Sequence, residues 1–277
     1  MSELQVPTWY YQHYDADFAR DVPAEAFGGW NKTMLPIACE RTALVVMHAW
    51  DCGTREQFPG WHRVVEYIPR SYDICGNVLP GLLEAARASG LTVYHVVRPG
   101  GTYFRDYPGY RRADQLAGPE VPRKREVQRD EVLDRLARFR SQSVFPGEHN
   151  QPDITAGQRC MDFPQPVKPA GDEGVAESSA QLHALCLEDG INHLIYTGFA
   201  INGCLVSSPG GMIDMQREGY MCSAVRQAVT AIENKETARA ETAKEIALWQ
   251  VALLYGFVYD ADDLTGALRS RTVERPS

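Results

Sequence analysis

The sequence predicts an α/β protein: a doubly wound, mostly parallel sheet flanked by helices, in a Rossmann-like three-layer sandwich. Three observations lead there. Short, unbroken apolar runs rich in β-branched residues recur, as strands buried on both faces require. Segments of helical spacing that stop at glycine alternate with them. The chain has 277 residues, 44% of them hydrophobic and 23% charged, enough for one large core without disulfide staples.

Residues 1–42 carry many aromatics, prolines and glycines but no sustained period. They read as an N-terminal arm wrapped over the domain or a partner subunit, since Tyr10-Tyr11-Gln12-His13-Tyr14 is too aromatic for a disordered tail. Residues 43–260 read as a single domain. Its first strand covers 43–48. Leu79, Leu82, Leu83 and Ala86 give residues 76–89 a helical stripe, which Gly90 ends. Residues 91–97 form the second strand.

The stretch 98–170 reads as a long irregular insertion with one helix at 129–140, a length usual for functional or partner-binding segments. A helix is expected from Val175 to about Glu188, with Glu177 as a favourable charge at its start. A strand at 193–197, a helix from Cys204, a strand at 220–225, a helix at 238–255 and a short strand at 257–259 complete the alternation. Pro209-Gly210-Gly211 should kink or restart the Cys204 helix, because an interior proline removes a hydrogen bond and clashes with the preceding turn. Residues 261–277 read as a C-terminal tail.

The formal net charge of −8 argues against nucleic acid or an anionic membrane as partner. The basic run Arg123-Lys124-Arg125, closely followed by acids, reads as a solvated helix face. Seven scattered cysteines contain no Cys-x-x-Cys pair, so no zinc ribbon or thioredoxin site is indicated. No secretory apolar region opens the sequence and no apolar stretch reaches membrane-spanning length. A cytoplasmic protein with reduced thiols is expected. There is no Gly-x-Ser-x-Gly elbow, P-loop or Gly-x-Gly-x-x-Gly fingerprint, and no cofactor is expected.

In such sheets ligands bind beyond the carboxyl ends of the strands. His48 and Cys204 both stand at such ends. Cys204 follows an apolar run and a glycine turn and opens a helix-compatible segment. Free N–H groups at a helix start favour the thiolate. Taken alone, the cysteine reads more readily as a small buried hydrophobe than as a nucleophile. Cys52 and Cys222 read as core residues, with Cys52 close enough to His48 to line the cleft.

The run Gly198-Phe199-Ala200-Ile201-Asn202-Gly203-Cys204-Leu205-Val206 resembles the Gly-x-Ala-Thr-x-x-Cys-Val nucleophile motif of the isochorismatase-like cysteine hydrolases. That superfamily includes nicotinamidases and N-carbamoylsarcosine amidase. Thr42 to His48 resembles its Thr-Ala-Leu-Leu-Val-Ile-Asp opening strand. The resemblance spans about 40–98 and 175–260. It implies a Cys-Asp-Lys triad, attack on an amide or related carbonyl, a covalent acyl-enzyme and an oligomeric assembly. Carried over by position, Cys204 is the nucleophile and Ala200 and Cys204 supply oxyanion N–H groups. Ile201, Asn202 and Gly203 belong to the same substrate-facing turn, and the Phe199–Ala200 peptide is the family's cis bond.

This sequence departs from the pattern in three places. His48 stands where the family has aspartate, Ile201 stands where it has threonine, and Pro209 interrupts the following helix. His48 therefore has three readings: a base paired with Cys204, a neutral structural ring, or a metal ligand with His62 and His95 as nearest partners. Asp51 either orients His48 or faces water. Lys168 is the lysine in the right interval for the triad, with Lys124 a weaker alternative; the default reading of either is a solvated loop residue. Asn202 and Tyr103 are further candidates to touch substrate.

The expected function is hydrolysis of a small amide, ureide or related C–N bond, with a small-molecule substrate, a homo-oligomer, and no nucleic-acid or membrane partner. The alternatives are a catalytically degenerate binding or scaffold protein, or a relative doing vinyl-ether or other non-amide chemistry.

Overall fold

The computed structural model describes residues 3–119 and 127–271. The Arg123-Lys124-Arg125 cluster, with its candidate Lys124, lies outside the described residues, as does the end of the tail.

Residues 3–38 form structure of their own. β1 (Glu3–Gln12) and β2 (Gly29–Ala38) make an antiparallel hairpin in register from Glu3↔Ala38 to Gln12↔Gly29. This corrects the expected arm. Its aromatics pack on each other and on the neighbouring elements. Tyr11 meets Trp30 edge-on at 5.4 Å, and the Arg226 guanidinium lies over the Trp9 and Trp30 rings at 5.8 and 5.1 Å.

β3 (Thr42–Met47) is buried at every position. α1 (Pro59–Val64) and α2 (Ile68–Asp73) follow, and a wider turn at Ile74–Val78 leads into α3 (Leu79–Ser89), which Gly90 ends in the left-handed conformation. β4 (Thr92–Val96) comes next. Among the described residues, the 98–170 stretch holds three α-helices rather than the expected one: α4 (Pro108–Ala117), α5 (Glu131–Ser143) and α6 (Gln151–Arg159).

The helix expected from Val175 starts later. β5 (Gly174–Ala176) comes first, as a buried strand paired with β4. α7 (Ser179–Asp189) then begins at Ser178, whose side chain accepts the Gln181 N–H. β6 (His193–Phe199), α8 (Cys204–Ser207), α9 (Met212–Arg217), β7 (Met221–Thr230), α10 (Thr242–Leu254) and β8 (Val258–Tyr259) continue the alternation. The tail is also corrected: α11 (Ala261–Ser270) buries Leu264 and Leu268 in the core that α3 shares. No helix among the described residues is long and apolar enough to cross a membrane.

The sheet order is β2-β1-β8-β7-β6-β3-β4-β5, with β3 to β8 parallel and the hairpin antiparallel at one edge. The strands alternate faces as the pleat demands. Leu44, Val46 and Ile195 pack toward α3 and α11, whereas Val45, Met47 and Tyr196 pack toward α7 and α10. From β3 the chain first builds outward through β4 and β5, then returns to place β6 on the other side of β3. The carboxyl ends of β3 and β6 therefore flank the switch point where such sheets bind ligands. Gly198 permits their close approach, since a Cβ there would lie 1.9 Å from the Met47 carbonyl oxygen.

Candidate active site

β3 ends at Met47, and His48 turns the chain out of the sheet with φ of +52°, a left-handed conformation that side chains rarely adopt. Its N–H donates to the Val96 carbonyl at 2.8 Å, fixing the turn against β4. The ring is buried. Burial pushes the imidazole down to about 4, helped by the Arg98 charge and partly opposed by the Val97 backbone. Nε2 is buried and has no hydrogen-bond partner among the described residues. At neutral pH the site thus contains an uncharged imidazole with a buried, unpartnered Nε2.

β6 ends at the Phe199–Ala200 peptide, which is cis, as the family resemblance implies. The chain then turns through Ile201, Asn202 and Gly203 into α8, whose first residue is the half-buried Cys204. The helix lasts one turn and restarts as α9 after Pro209-Gly210-Gly211, where the sequence predicts a break. The Leu205 N–H is taken by the Ala200 carbonyl at 3.1 Å. Among the described residues, the N–H groups of Ala200 and Cys204 have no backbone acceptor.

Cys204 and His48 line one cavity of about 660 Å³. Its walls are largely apolar. Trp50 and Trp61 lie 5.4 Å apart between ring centroids, and Tyr67, Phe145 and Ile154 add to them. Burial raises the Tyr67 phenol, with the nearby Cys204 sulfur and Glu66 adding to the shift, so it stays a neutral hydroxyl. Both acids on the lining are engaged. Glu66 takes two Arg70 hydrogen bonds at 2.9 and 3.0 Å and the Glu233 N–H at 3.1 Å. Glu233 accepts the Ala243 and Lys244 N–H groups at 3.1 and 3.0 Å, capping α10. Arg98, also on the lining, has no ion-pair or hydrogen-bond partner among the described residues.

The other sequence candidates lie elsewhere. Asp51 does not orient His48: its Oδ1 accepts the Tyr72 hydroxyl at 2.9 Å and the Gly53 N–H at 2.8 Å, and its backbone bridges to Asp162. Lys168 is held by Asp162 at 2.8 Å and is not on the cavity lining. Ile201 is buried, with its N–H on the Thr230 carbonyl at 2.9 Å. Asn202 clasps the backbone of Ile232 through two 2.8 Å bonds and so positions a wall residue. Gly203 is half-buried. Glu177 lies before α7 instead of within it, and accepts the Gly100 N–H and the Tyr110 hydroxyl. His62 and His95 turn to Gly53 and Glu173. Cys52 and Cys222 are core residues, as expected. Tyr103 lines a small neighbouring recess that shares Arg98 with the main cavity.

No protein-family model matches this sequence, and no curated protein does. Solved structures do. A cysteine hydrolase from Pseudomonas syringae pv. phaseolicola is 16% identical over 86% of this chain and 96% of its own, with a TM-score of 0.48. An isochorismatase family protein from Burkholderia thailandensis is 18% identical over 83% and 96%, at 0.44. N-carbamoylsarcosine amidase from Thermoplasma acidophilum is 15% identical over 80% and 97%, at 0.40. The chain resembles isochorismatase-family and cysteine hydrolase structures.

Sequence reasoning missed Tyr67, Glu233 and Arg98. Tyr67 and Glu233 lie outside the motif-bearing strand ends and carry no local signal. Arg98 did have one, since it follows the second strand at the same carboxyl edge as His48.

Proposed function

We propose that this protein is a cysteine-dependent hydrolase of a small amide, ureide or related C–N bond, acting through a covalent acyl-enzyme. The reading rests on one observation: Cys204 and His48, a neutral ring whose buried Nε2 has no partner among the described residues, line the same cavity.

The chemistry follows from these groups. Nε2 takes the thiol proton as sulfur attacks the carbonyl carbon. The carbonyl electron pair moves to oxygen, where the Ala200 and Cys204 N–H groups are the donors that the motif resemblance assigns. The C–N bond then breaks and the leaving nitrogen takes the proton from His48. Water attacks the thioester, giving its proton to His48, and the acid departs as the thiol re-forms. Tyr67 adds a hydroxyl donor beside the sulfur. A homo-oligomer belongs to the same reading, supported by Val132, Leu136 and Phe139 exposed along α5; light scattering tests it.

A second reading, a binding protein without catalysis, is favoured by the placement of Lys168 outside the cavity lining. Screening wild type and Cys204→Ala on an amide and ureide panel separates the two. The hydrolase reading requires turnover by the wild type and loss of at least about 10³-fold in a folded Cys204→Ala. Undiminished turnover by the variant contradicts it, and absence of turnover by either supports the binding protein.

A further inference from the structure

We propose that the cavity takes an anionic ligand: a compound with an aromatic or branched apolar body and a carboxylate that pairs with Arg98. The proposal deepens the hydrolase reading and depends on it for the bond cleaved, but not for the charge preference.

Besides the reacting Cys204 thiol and the Tyr67 phenol, which stays neutral, four groups on the lining can carry charge: Glu66, Glu233, His48 and Arg98. Glu66 is matched by Arg70. Glu233 is matched by the open N–H groups of α10. His48 is buried without an ionic partner. Of these four, Arg98 alone presents a full charge with no partner among the described residues. Beside low-dielectric walls such as Trp50, Trp61, Phe145 and Ile154, that charge acts more strongly than it would in open water. A guanidinium presents a planar fork that matches a carboxylate in two-point geometry.

Position agrees with charge. Arg98 lies two residues beyond β4, whose Val96 pairs with Met47 immediately before His48. An anion on Arg98 therefore sits at the same sheet edge as the thiol and the imidazole. The adjoining recess, lined by Arg98, Gly100, Gly101 and Tyr103, gives the carboxylate room beyond the main cavity. A cationic ligand would meet Arg98 and find both acids already engaged.

Three probes with one body test this: N-benzoylglycine, its neutral amide N-benzoylglycinamide, and the cation N-(2-aminoethyl)benzamide. Binding is measured by calorimetry on Cys204→Ala, where turnover does not intervene. The anion should bind at least tenfold tighter than the neutral probe, and the cation more weakly than either. Adding Arg98→Gln should shrink the anion-to-neutral ratio below twofold, while Arg98→Lys keeps part of it. Arg98 is exposed, and circular dichroism checks that both variants fold. Equal affinities, no measurable binding of the anion, a preference for the cation, or a ratio unchanged by Arg98→Gln overturns the proposal. Turnover of neutral amides by an enzyme without anion preference refutes this inference alone. Anion preference in a wild type without turnover refutes only the hydrolase reading.

Discussion

His48 and Cys204 reach the cavity from the ends of β3 and β6, whereas Phe145, Ile154, Gln158 and Met161 reach it from the 98–170 stretch. The first pair is anchored by a fully buried parallel ladder running from Thr42↔His193 to Met47↔Gly198. The second group lies on and beside α6, which packs mainly on α1 rather than on the sheet. α6 meets α1 through Gly157, where a Cβ would lie 2.4 Å from the Trp61 ring, and α5 buries none of its residues. The difference separates two tasks. In the proposed reading, the reacting groups sit on backbone that the core fixes, and the surface that selects a ligand sits on backbone farther from the sheet.

The rigid side should show the larger effects. His48→Gln removes the proton acceptor and should lower kcat/KM about 10²–10⁴-fold, measured on whichever amide the wild type turns over. A loss under threefold would make His48 a structural ring. The wild-type acid limb should lie near pH 4, where the ring protonates, with activity nearly flat from pH 7 to 5. A limb near 6.5 would mean the ring is solvated.

Acid stability sharpens the same point. His48 and His193 are held at about 4 when folded, against about 6.5 unfolded. As pH falls below 6.5 the unfolded chain binds their protons first, so stability is full above 6.5 and is lost toward 4. Each group contributes a slope of up to about 1.4 kcal/mol per pH unit in that window. Glu173, held near 2 by His95 and Arg87 against its desolvation, continues the loss below about 4.5. Urea unfolding at pH 7, 6 and 5 should show the decline, and His193→Gln should lessen it.

On the insertion side, Gly157→Ala must displace Trp61. It should cost about 1–3 kcal/mol in urea unfolding and raise KM more than it lowers kcat. An equal loss in kcat alone would tie this wall to the chemistry. Lys168→Met is the smallest change expected. Its half-exposed pair with Asp162 contributes about 0–1 kcal/mol, and activity should move less than twofold. A hundredfold loss would restore Lys168 to the triad.

The sequence was most informative where the deciding physics is local. The buried β3 and β6 runs, the Gly90 stop and the Pro209 break each follow from a few adjacent residues, and the Cys204 turn with its cis peptide followed from a motif. The hairpin was harder because Pro7 and Pro36 interrupt its strand pattern, and its aromatics pack across strands rather than along them. α4 and α6 carry proline in their first turns, at Pro108 and Pro152, which tolerates helix but looks like loop punctuation. Asp51 failed as a partner for His48 because the left-handed turn at His48 redirects the chain, and sequence spacing does not carry that turn. The interval before the Val175 segment points to Lys168, but its partner Asp162 decides where the ammonium points.

The covalent step is the most direct test. Wild-type enzyme is acid-quenched while turning over its best amide and digested, and the Cys204 peptide is weighed. That peptide should gain the mass of the acyl group, with none on the exposed Cys160. Continued turnover without any adduct on Cys204, matched by full activity in Cys204→Ala, would contradict a thioester route.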